Sequence, residues 1–268
     1  MKTKKSLGQH FLKSERALSV IIETAQIKAE DTILEIGPGT GTLTEKLLEA
    51  GAKVIAVEKD DELFAFLTQK FEKEITDEKL KLIHDDILNF QTSNLKTHKL
   101  IANIPYNITG AILKKFLGAD RQPKQMVLLV QKEVAKRIVA QDSKESILSV
   151  SVKAYGTPRY IETVKAGSFA PAPKVDSAII SIENISKEFF SLGQSRALTT
   201  LTISEKEFFS MVRAGFKSKR KKLSSNLSTL FTKEKIKDVF NKLGLDENLR
   251  AEDINIGTWQ KLAQNLLA

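Results

Sequence analysis

The chain has no cysteine, which excludes disulfide scaffolds, thiolate zinc sites and cysteine nucleophiles. Only three histidines occur (His10, His84 and His98), so a histidine-rich metal site is not expected, and no metal is assigned. No run of 18 or more apolar residues is found, so no membrane span is expected. The first residues, MKTKKSLGQHFLKSERAL, are basic but lack the apolar stretch of a secretory signal. A cytoplasmic protein is the default expectation. Internal repeats and low-complexity tracts are also missing.

What is present suits a globular chain. Its 268 residues are enough for a large domain, or for a catalytic domain with a small accessory one. Hydrophobic residues make up 41%, too many for a disordered chain. The net charge of +9 favours polyanionic partners, chiefly nucleic acid. That charge is concentrated late in the chain. Ser204 to Ala268 holds 13 Lys/Arg against 8 Asp/Glu, and five of the six residues in KSKRKK, Lys217 to Lys222, are basic. Clustering of this kind points to Lys217, Lys219, Arg220, Lys221 and Lys222 as phosphate contacts.

Short apolar runs alternate with helical patterns. Thr32–Ile36, Lys53–Val57, Lys79–Ile83, Lys99–Asn103 and Gln125–Val130 read as buried strands. Leu43–Ala50, Asp60–Glu74, Thr109–Leu117 and Lys132–Ala140 read as the helices between them. The alternation predicts an α/β fold with a mostly parallel sheet covered on both faces. Tyr160–Gly167 and Ser177–Asn184 are expected to add an antiparallel edge hairpin, joined through FAPAPKVDS. Near residue 187 the pattern changes. From Ser204 onward it is helical, with caps at Ser204 and Thr232. The expected division is a catalytic domain over 1–186 and a small basic helical domain over 187–268.

The first strand runs into Glu35-Ile36-Gly37-Pro38-Gly39-Thr40-Gly41. Glycines there permit a tight turn and close approach of a ligand, although a purely structural turn would look the same. The dinucleotide fingerprint needs Gly at position 42, where this chain has Thr, so a nicotinamide oxidoreductase is disfavoured. The spacing resembles motif I of class I methyltransferases. Glu58 closes the second strand, 21 residues after Gly37, where a carboxylate can accept from both ribose hydroxyls. His84-Asp85-Asp86 closes the third, and Asp86 is preferred over Asp85 as acceptor for an adenine amino group. A solvated strand-end charge is the plain alternative for each. Three strand ends in agreement point to a nucleoside site, and S-adenosyl-L-methionine is the expected cofactor.

The fourth strand ends in Asn103-Ile104-Pro105-Tyr106. An adenine amine is a poor nucleophile because its lone pair is delocalised into the ring. Acceptors aimed at its hydrogens, the Asn103 side-chain oxygen and the Ile104 carbonyl, would free that lone pair. Pro105 fixes its own φ and biases Ile104 toward extended backbone. Tyr106 offers a face for stacking the target base. Methyl transfer then needs mainly positioning and charge placement. Phe169, beside Pro171 and Pro173, is either a second stacking wall for an extruded base or a core residue at a strand end.

Eight segments in order carry a family resemblance: KKSLGQHFL (4–12), ILEIGPGTGTLT (33–44), AVEKD (56–60), DDIL (85–88), IANIPYNI (101–108), LLVQKEVAKRIVA (128–140), FAPAPKVDSAI (169–179) and RAGFKSKRKKLSSNL (213–227). The chain resembles the ribosomal RNA adenine dimethyltransferases over nearly its whole length, and among them the branch acting on 16S rRNA. The resemblance implies a class I (Rossmann-like) methyltransferase domain and a small all-α C-terminal domain that holds the rRNA. It implies a cofactor pocket lined by Gln9, His10 and Leu12 with Gly37, Gly39, Glu58, Asp86 and Asn103. It further implies dimethylation of two adjacent adenines in a hairpin near the 3′ end of 16S rRNA, on a partly assembled small subunit, by a monomer. Two places depart from the family pattern. Glu145-Ser146-Ile147-Leu148-Ser149-Val150 stands where Tyr-Gly-Arg-Leu-Ser-Val is usual, and Lys219 where Arg is common.

Two other readings compete. A 23S rRNA adenine methyltransferase of the macrolide-resistance type would share the Asn-x-Pro-Tyr chemistry. A non-catalytic RNA-binding assembly factor could use the same scaffold, but would have no need of Glu58 or of Asn103 to Tyr106.

Overall fold

The computed structural model describes residues 9–29, 31–95, 98–191 and 203–267. Of the KKSLGQHFL segment, Lys4 to Gly8 lie outside the described residues. The chain divides into two compact units, residues 1–135 with 157–185, and residues 136–156 with 186–268. A two-domain division at 186/187 was expected. The observed break differs in taking residues 136–156 into the second unit, because contacts in space, and not chain order, define it.

In chain order the first unit contains β1 (Phe11–Leu12), α1 (Glu15–Ala25), β2 (Thr32–Ile36), α2 (Thr42–Glu49), β3 (Lys53–Glu58), α3 (Asp61–Lys70), α4 (Glu72–Thr76), β4 (Leu80–His84), β5 (Lys99–Asn103), α5 (Thr109–Leu117) and β6 (Met126–Gln131). Helix α6 (Lys132–Val139) crosses the division, α7 (Ile147–Lys153) belongs to the second unit, and β7 (Thr157–Val164), β8 (Phe169–Ala170) and β9 (Ser177–Glu183) complete the first. Seven strands form one sheet in the order β4-β3-β2-β5-β6-β9-β7. The neighbours from β4 to β6 run parallel, while β9 is antiparallel to β6 and to β7. This is the expected mostly parallel sheet with an antiparallel edge.

Sequence explains the layering. Met126 to Val130 are all buried, as a central strand with both faces covered requires. In α1, Ala17, Leu18, Ile21 and Ala25 make one apolar face, and Ser14 caps the helix by accepting from the Ala17 N–H at 3.3 Å. The helix expected over Asp60–Glu74 is interrupted at Phe71. Phe71 packs against the glycine turn, where a β-carbon on Gly41 would come within 2.5 Å of its ring. The short antiparallel pair β1–β8 ties the N-terminal segment to the Pro-rich loop, through Phe11 with Ala170 and Leu12 with Phe169.

The second unit is helical among its described residues: α7, α8 (Glu188–Ser191), α9 (Glu205–Gly215), α10 (Leu223–Leu227), α11 (Lys233–Leu243) and α12 (Ile256–Leu266). The caps predicted at Ser204 and Thr232 are present. Ser204 Oγ accepts from the Glu207 N–H at 3.4 Å, and Thr232 Oγ1 from the Lys235 N–H at 3.2 Å. Trp259 and Phe208 are fully buried at its centre. No helix among the described residues is long and apolar enough to cross a membrane.

Candidate active site

The turn after β2 brings three backbone positions to positive φ, at Gly37, Gly39 and Gly41. At Gly39 the need for glycine is twofold. Its φ is +62°, and a β-carbon would sit 2.9 Å from the Phe11 ring. The Gly39 N–H donates to Glu58 Oε2 at 3.2 Å, while Glu58 Oε1 accepts from the N–H groups of Lys59 and Asp60, each at 2.9 Å. Glu58 therefore joins the ends of β2 and β3. Burial pushes its carboxyl upward, and these three N–H groups oppose the shift.

These elements enclose a cleft of about 290 Å³ at the carboxyl ends of the parallel strands. Gln9, His10, Leu12, Gly37, Gly39, Glu58, Asp86, Asn103, Ile104, Pro105 and Tyr106, all predicted site residues, line it together. Gln9 Nε2 donates to Asp60 Oδ2 at 3.3 Å. Asp86 is charged at neutral pH, held below the usual carboxylate range first by its hydrogen bond from Lys59 Nζ (2.8 Å) and then by the Leu88 N–H (2.9 Å).

Asn103 ends β5. Its Nδ2 donates to the His10 carbonyl at 2.9 Å, which leaves Oδ1 as the acceptor end of the amide. The next residue, Ile104, is buried and anchored through its N–H to the Leu129 carbonyl at 3.2 Å. Tyr106 shares a hydrogen bond of 2.7 Å with Ser177 Oγ and lies against the His10 ring, centroids 5.8 Å apart with 25° between planes. His10 Nδ1 is 2.8 Å from the Pro171 carbonyl. The N-terminal segment, the strand-end loop and the Pro-rich loop thus brace one another.

One expectation does not fit this arrangement. Phe169 is 4% exposed and packs in the core with Leu12, Val164 and Ile179. It is not among the residues lining the cleft. Pairing of Phe169 with Leu12 turns its ring inward, so it offers no second stacking wall here.

Sequence reasoning passed over three residues at the site. Glu35 lines the cleft at 1% exposure and accepts from Thr44 Oγ1 at 2.7 Å. Burial pushes its carboxyl up to about 8, against the Thr44 hydrogen bond and with the help of the Glu58 charge. A glutamate inside an apolar strand, TILEI, was the available signal. Lys59, which holds Asp86, and Ser177, which holds Tyr106, had no signal in the one-dimensional pattern.

The predicted phosphate contacts lie in the second unit. Lys217, Lys219, Arg220, Lys221 and Lys222 stand exposed on the turn between α9 and α10, and none of them has an ion-pair partner among the described residues. Buried Asn226 shapes this turn, donating to the Gly215 carbonyl at 2.7 Å and the Ser218 carbonyl at 2.9 Å.

Fold and cleft together define a class I methyltransferase. The solved structure of the 23S rRNA methyltransferase ErmE shares the fold over 96% of this chain and 100% of its own, with a TM-score of 0.75 at 23% identity. A dimethyladenosine transferase from Plasmodium falciparum superposes with a TM-score of 0.77 at 28% identity, over 94% of this chain and 96% of its own. The pattern of the family "Ribosomal RNA adenine dimethylase" matches residues 1–267, and the chain belongs to that family. It is thus an S-adenosylmethionine-dependent rRNA adenine dimethyltransferase. Proteins named "Ribosomal RNA small subunit methyltransferase A" are similar over nearly the full length. That of Dehalococcoides mccartyi is 41% identical over 98% of this chain and 88% of its own, and that of Nostoc sp. 37% identical over 100% and 98%.

Proposed function

We propose that the chain dimethylates the exocyclic amines of two adjacent adenines in a hairpin near the 3′ end of 16S rRNA, acting as a monomer on a partly assembled small subunit. The observation that carries the chemistry is the Asn103 amide, oriented by the His10 carbonyl so that Oδ1 is free to accept. The 16S assignment rests on relatives named for the small subunit at up to 41% identity over nearly the whole chain. The cytoplasm, where such a subunit would be assembled, is the matching location.

The cleft suits the methyl donor. Gly39 lets the turn close against the Phe11 ring, which a β-carbon there would meet at 2.9 Å, Glu58 provides buried carboxylate oxygens for ribose hydroxyls, and Asp86 an acceptor for an adenine amine. Gln9, His10, Leu12 and Gly37 complete the wall. When bound, S-adenosylmethionine supplies an electrophilic methyl group. The protein's part is geometric. Asn103 Oδ1 and the Ile104 carbonyl accept the two amine hydrogens and draw the nitrogen toward tetrahedral geometry, while Tyr106 stacks the base. Because these groups are preset by neighbouring hydrogen bonds, little reorganisation is needed at the moment of transfer. The proton released by the methylated amine passes to solvent.

Mapping dimethyladenosine in 16S rRNA from cells with and without the protein tests the reading. Absence of the two modified adenines only in cells lacking it is the expected result. Methylation of 23S rRNA but not of small-subunit particles would overturn the assignment in favour of the 23S class. No methyl transfer to either would leave a binding factor.

A further inference from the structure

Three strand ends meet beside Tyr106. Gln131 of β6 pairs with Ser177 of β9, and Ser177 pairs with Val164 of β7, so the three form one row across the sheet. Strand β6 runs parallel to β5, which ends in Asn103, and the row therefore lies at the end of the sheet where the cleft opens. Ser177 Oγ reaches the Tyr106 hydroxyl at 2.7 Å. One residue beyond the row each strand carries a charge: Lys132, Asp176 and Lys165. Asp176 ties the other two together. Its carbonyl accepts from the Lys132 N–H at 3.0 Å, and its Oδ1 from the Ala166 N–H at 3.1 Å. Its Oδ2 is 3.2 Å from Lys165 Nζ and 3.9 Å from Lys132 Nζ. The Ala166 N–H first, and Lys165 next, hold this carboxyl below the usual range, so it is charged at neutral pH.

One carboxylate cannot neutralise two ammonium groups. Lys165, Lys174 and Asp176 are the only charged residues from 165 to 176, and exposed Lys174 has no ion-pair partner among the described residues. With Lys132, the rim carries three positive charges against one negative. Asp176 is also the least exposed of its trio, with a side chain 27% exposed against 36% for Lys132 and 77% for Lys165. Ion pairs this open add little to folding stability, so the cluster does little for the fold itself.

We infer that Lys132 and Lys165 clamp an rRNA phosphate next to the target adenine, with Asp176 holding the two ammonium groups in place and Lys174 adding to the local charge. The inference rests on the reading that the protein methylates adenines of rRNA. It gives the catalytic unit a backbone contact of its own, apart from the basic turn of the second unit. Each ammonium group has three donors and gives at most one to Asp176, which leaves donors for phosphate oxygens. Enzymes that act on a base swing its nucleotide out about the backbone, and a held neighbouring phosphate fixes where that base lands. The link from Asp176 through Ser177 to Tyr106 sets the clamp beside the ring proposed to stack the base.

The chain has no cysteine, so Lys174→Cys provides a single attachment point for an iron chelate that releases hydroxyl radicals. Bound to small-subunit particles, the tethered protein is expected to cut the 16S backbone on either side of the two target adenines. In parallel, Lys132→Gln combined with Lys165→Gln is expected to lower kcat/KM for particles about tenfold, equivalent to about 1.4 kcal/mol. The salt dependence of particle binding is expected to flatten by about 0.7–0.9 log units of slope, the loss of one phosphate contact. Arginine at both positions keeps the charge and is expected to restore most of kcat/KM. Thermal melting and donor affinity check that the glutamine variant is folded. Should that variant not fold, the cutting pattern from position 174 decides alone. Absence of cuts near the target adenines, an unchanged kcat/KM, or a loss of kcat/KM with an unaltered salt slope overturns the clamp. Methyl transfer by the unaltered protein is assayed alongside. Intact transfer with any of those results defeats the clamp alone, whereas no transfer defeats the enzymatic reading.

Discussion

The Asn103 side chain gives its Nδ2 hydrogen to the His10 carbonyl at 2.9 Å. The two residues are 93 positions apart, and the bond decides which end of the amide faces the cleft. Asn103→Ala removes the acceptor and is expected to lower kcat by about 10²–10³-fold, in line with loss of one preorganised electrostatic contact at a reacting centre. Donor and RNA binding are expected to stay largely intact. Transfer of a labelled methyl group, with donor affinity measured by calorimetry, checks both statements. Near-normal turnover would remove Asn103 from the mechanism.

Tyr106 separates stacking from positioning. Its hydroxyl meets Ser177 Oγ at 2.7 Å, and burial pushes the phenol above its usual range, so it stays neutral. Tyr106→Phe loses that one bond, about 1 kcal/mol of stability, and keeps the ring. Tyr106→Ala loses the ring, and a base-stacking face is worth about 1–3 kcal/mol, or about 10–100-fold in kcat/KM. The expected order of activity is wild type, then Phe slightly below, then Ala far below. Equal loss in the two variants would show that the ring does not stack the base.

Much of this was legible in the sequence because parallel strands announce themselves as short apolar runs. TILEI and KLIAN occupy the strands predicted for them, Thr32–Ile36 and Lys99–Asn103, and their C-terminal ends deliver the glycine turn and Asn103 to one cleft. What stayed hidden depends on distant pairing. β1 and β8 are two residues each, too short for any periodicity, yet they carry His10 to Asn103 and turn Phe169 into the core. Residues 136–156 were read with the catalytic part because they follow it in the chain. Their side chains instead contribute contacts such as Lys144 with Asp253 and Tyr155 with Glu205, which only folding brings together.

The basic turn makes a prediction about salt. Lys219, Arg220, Lys221 and Lys222 are exposed between α9 and α10, with the turn held from beneath by Asn226. Neutralising all four is expected to weaken rRNA binding and flatten its dependence on salt, by up to ~0.7–0.9 log units of slope per lost phosphate contact. Titrations at several salt concentrations measure the slope directly. If the slope does not change, these side chains form only a solvated face. Asn226→Ala should produce a smaller version of the same defect, since it loosens the turn without removing charge.

Glu35 links burial in the cleft to pH. Its carboxyl, ordinarily near 4.5, is pushed up to about 8 in the folded protein, chiefly by desolvation. Below about 4.5 the folded and unfolded chains both hold the proton, and this group's contribution is fully present. Between about 4.5 and 8 the folded protein retains a proton that the unfolded chain has released. Folding therefore takes up protons in that window, and stability falls as pH rises through it, on the order of a few kcal/mol in all. The buried Glu58, also raised, acts with the same sign. Asp86, lowered by Lys59, acts oppositely, but its contribution is lost only as pH falls through its depressed range and it is partly exposed. Glu35→Gln keeps the side-chain volume and an oxygen for Thr44 while removing the titration. Melting temperature measured from pH 6 to 9 is expected to decline in the wild type and to decline less in the variant, with the two curves diverging as pH approaches 8. Parallel curves would mean that Glu35 is already ionised in the folded protein, with the Thr44 hydrogen bond enough to hold its charge.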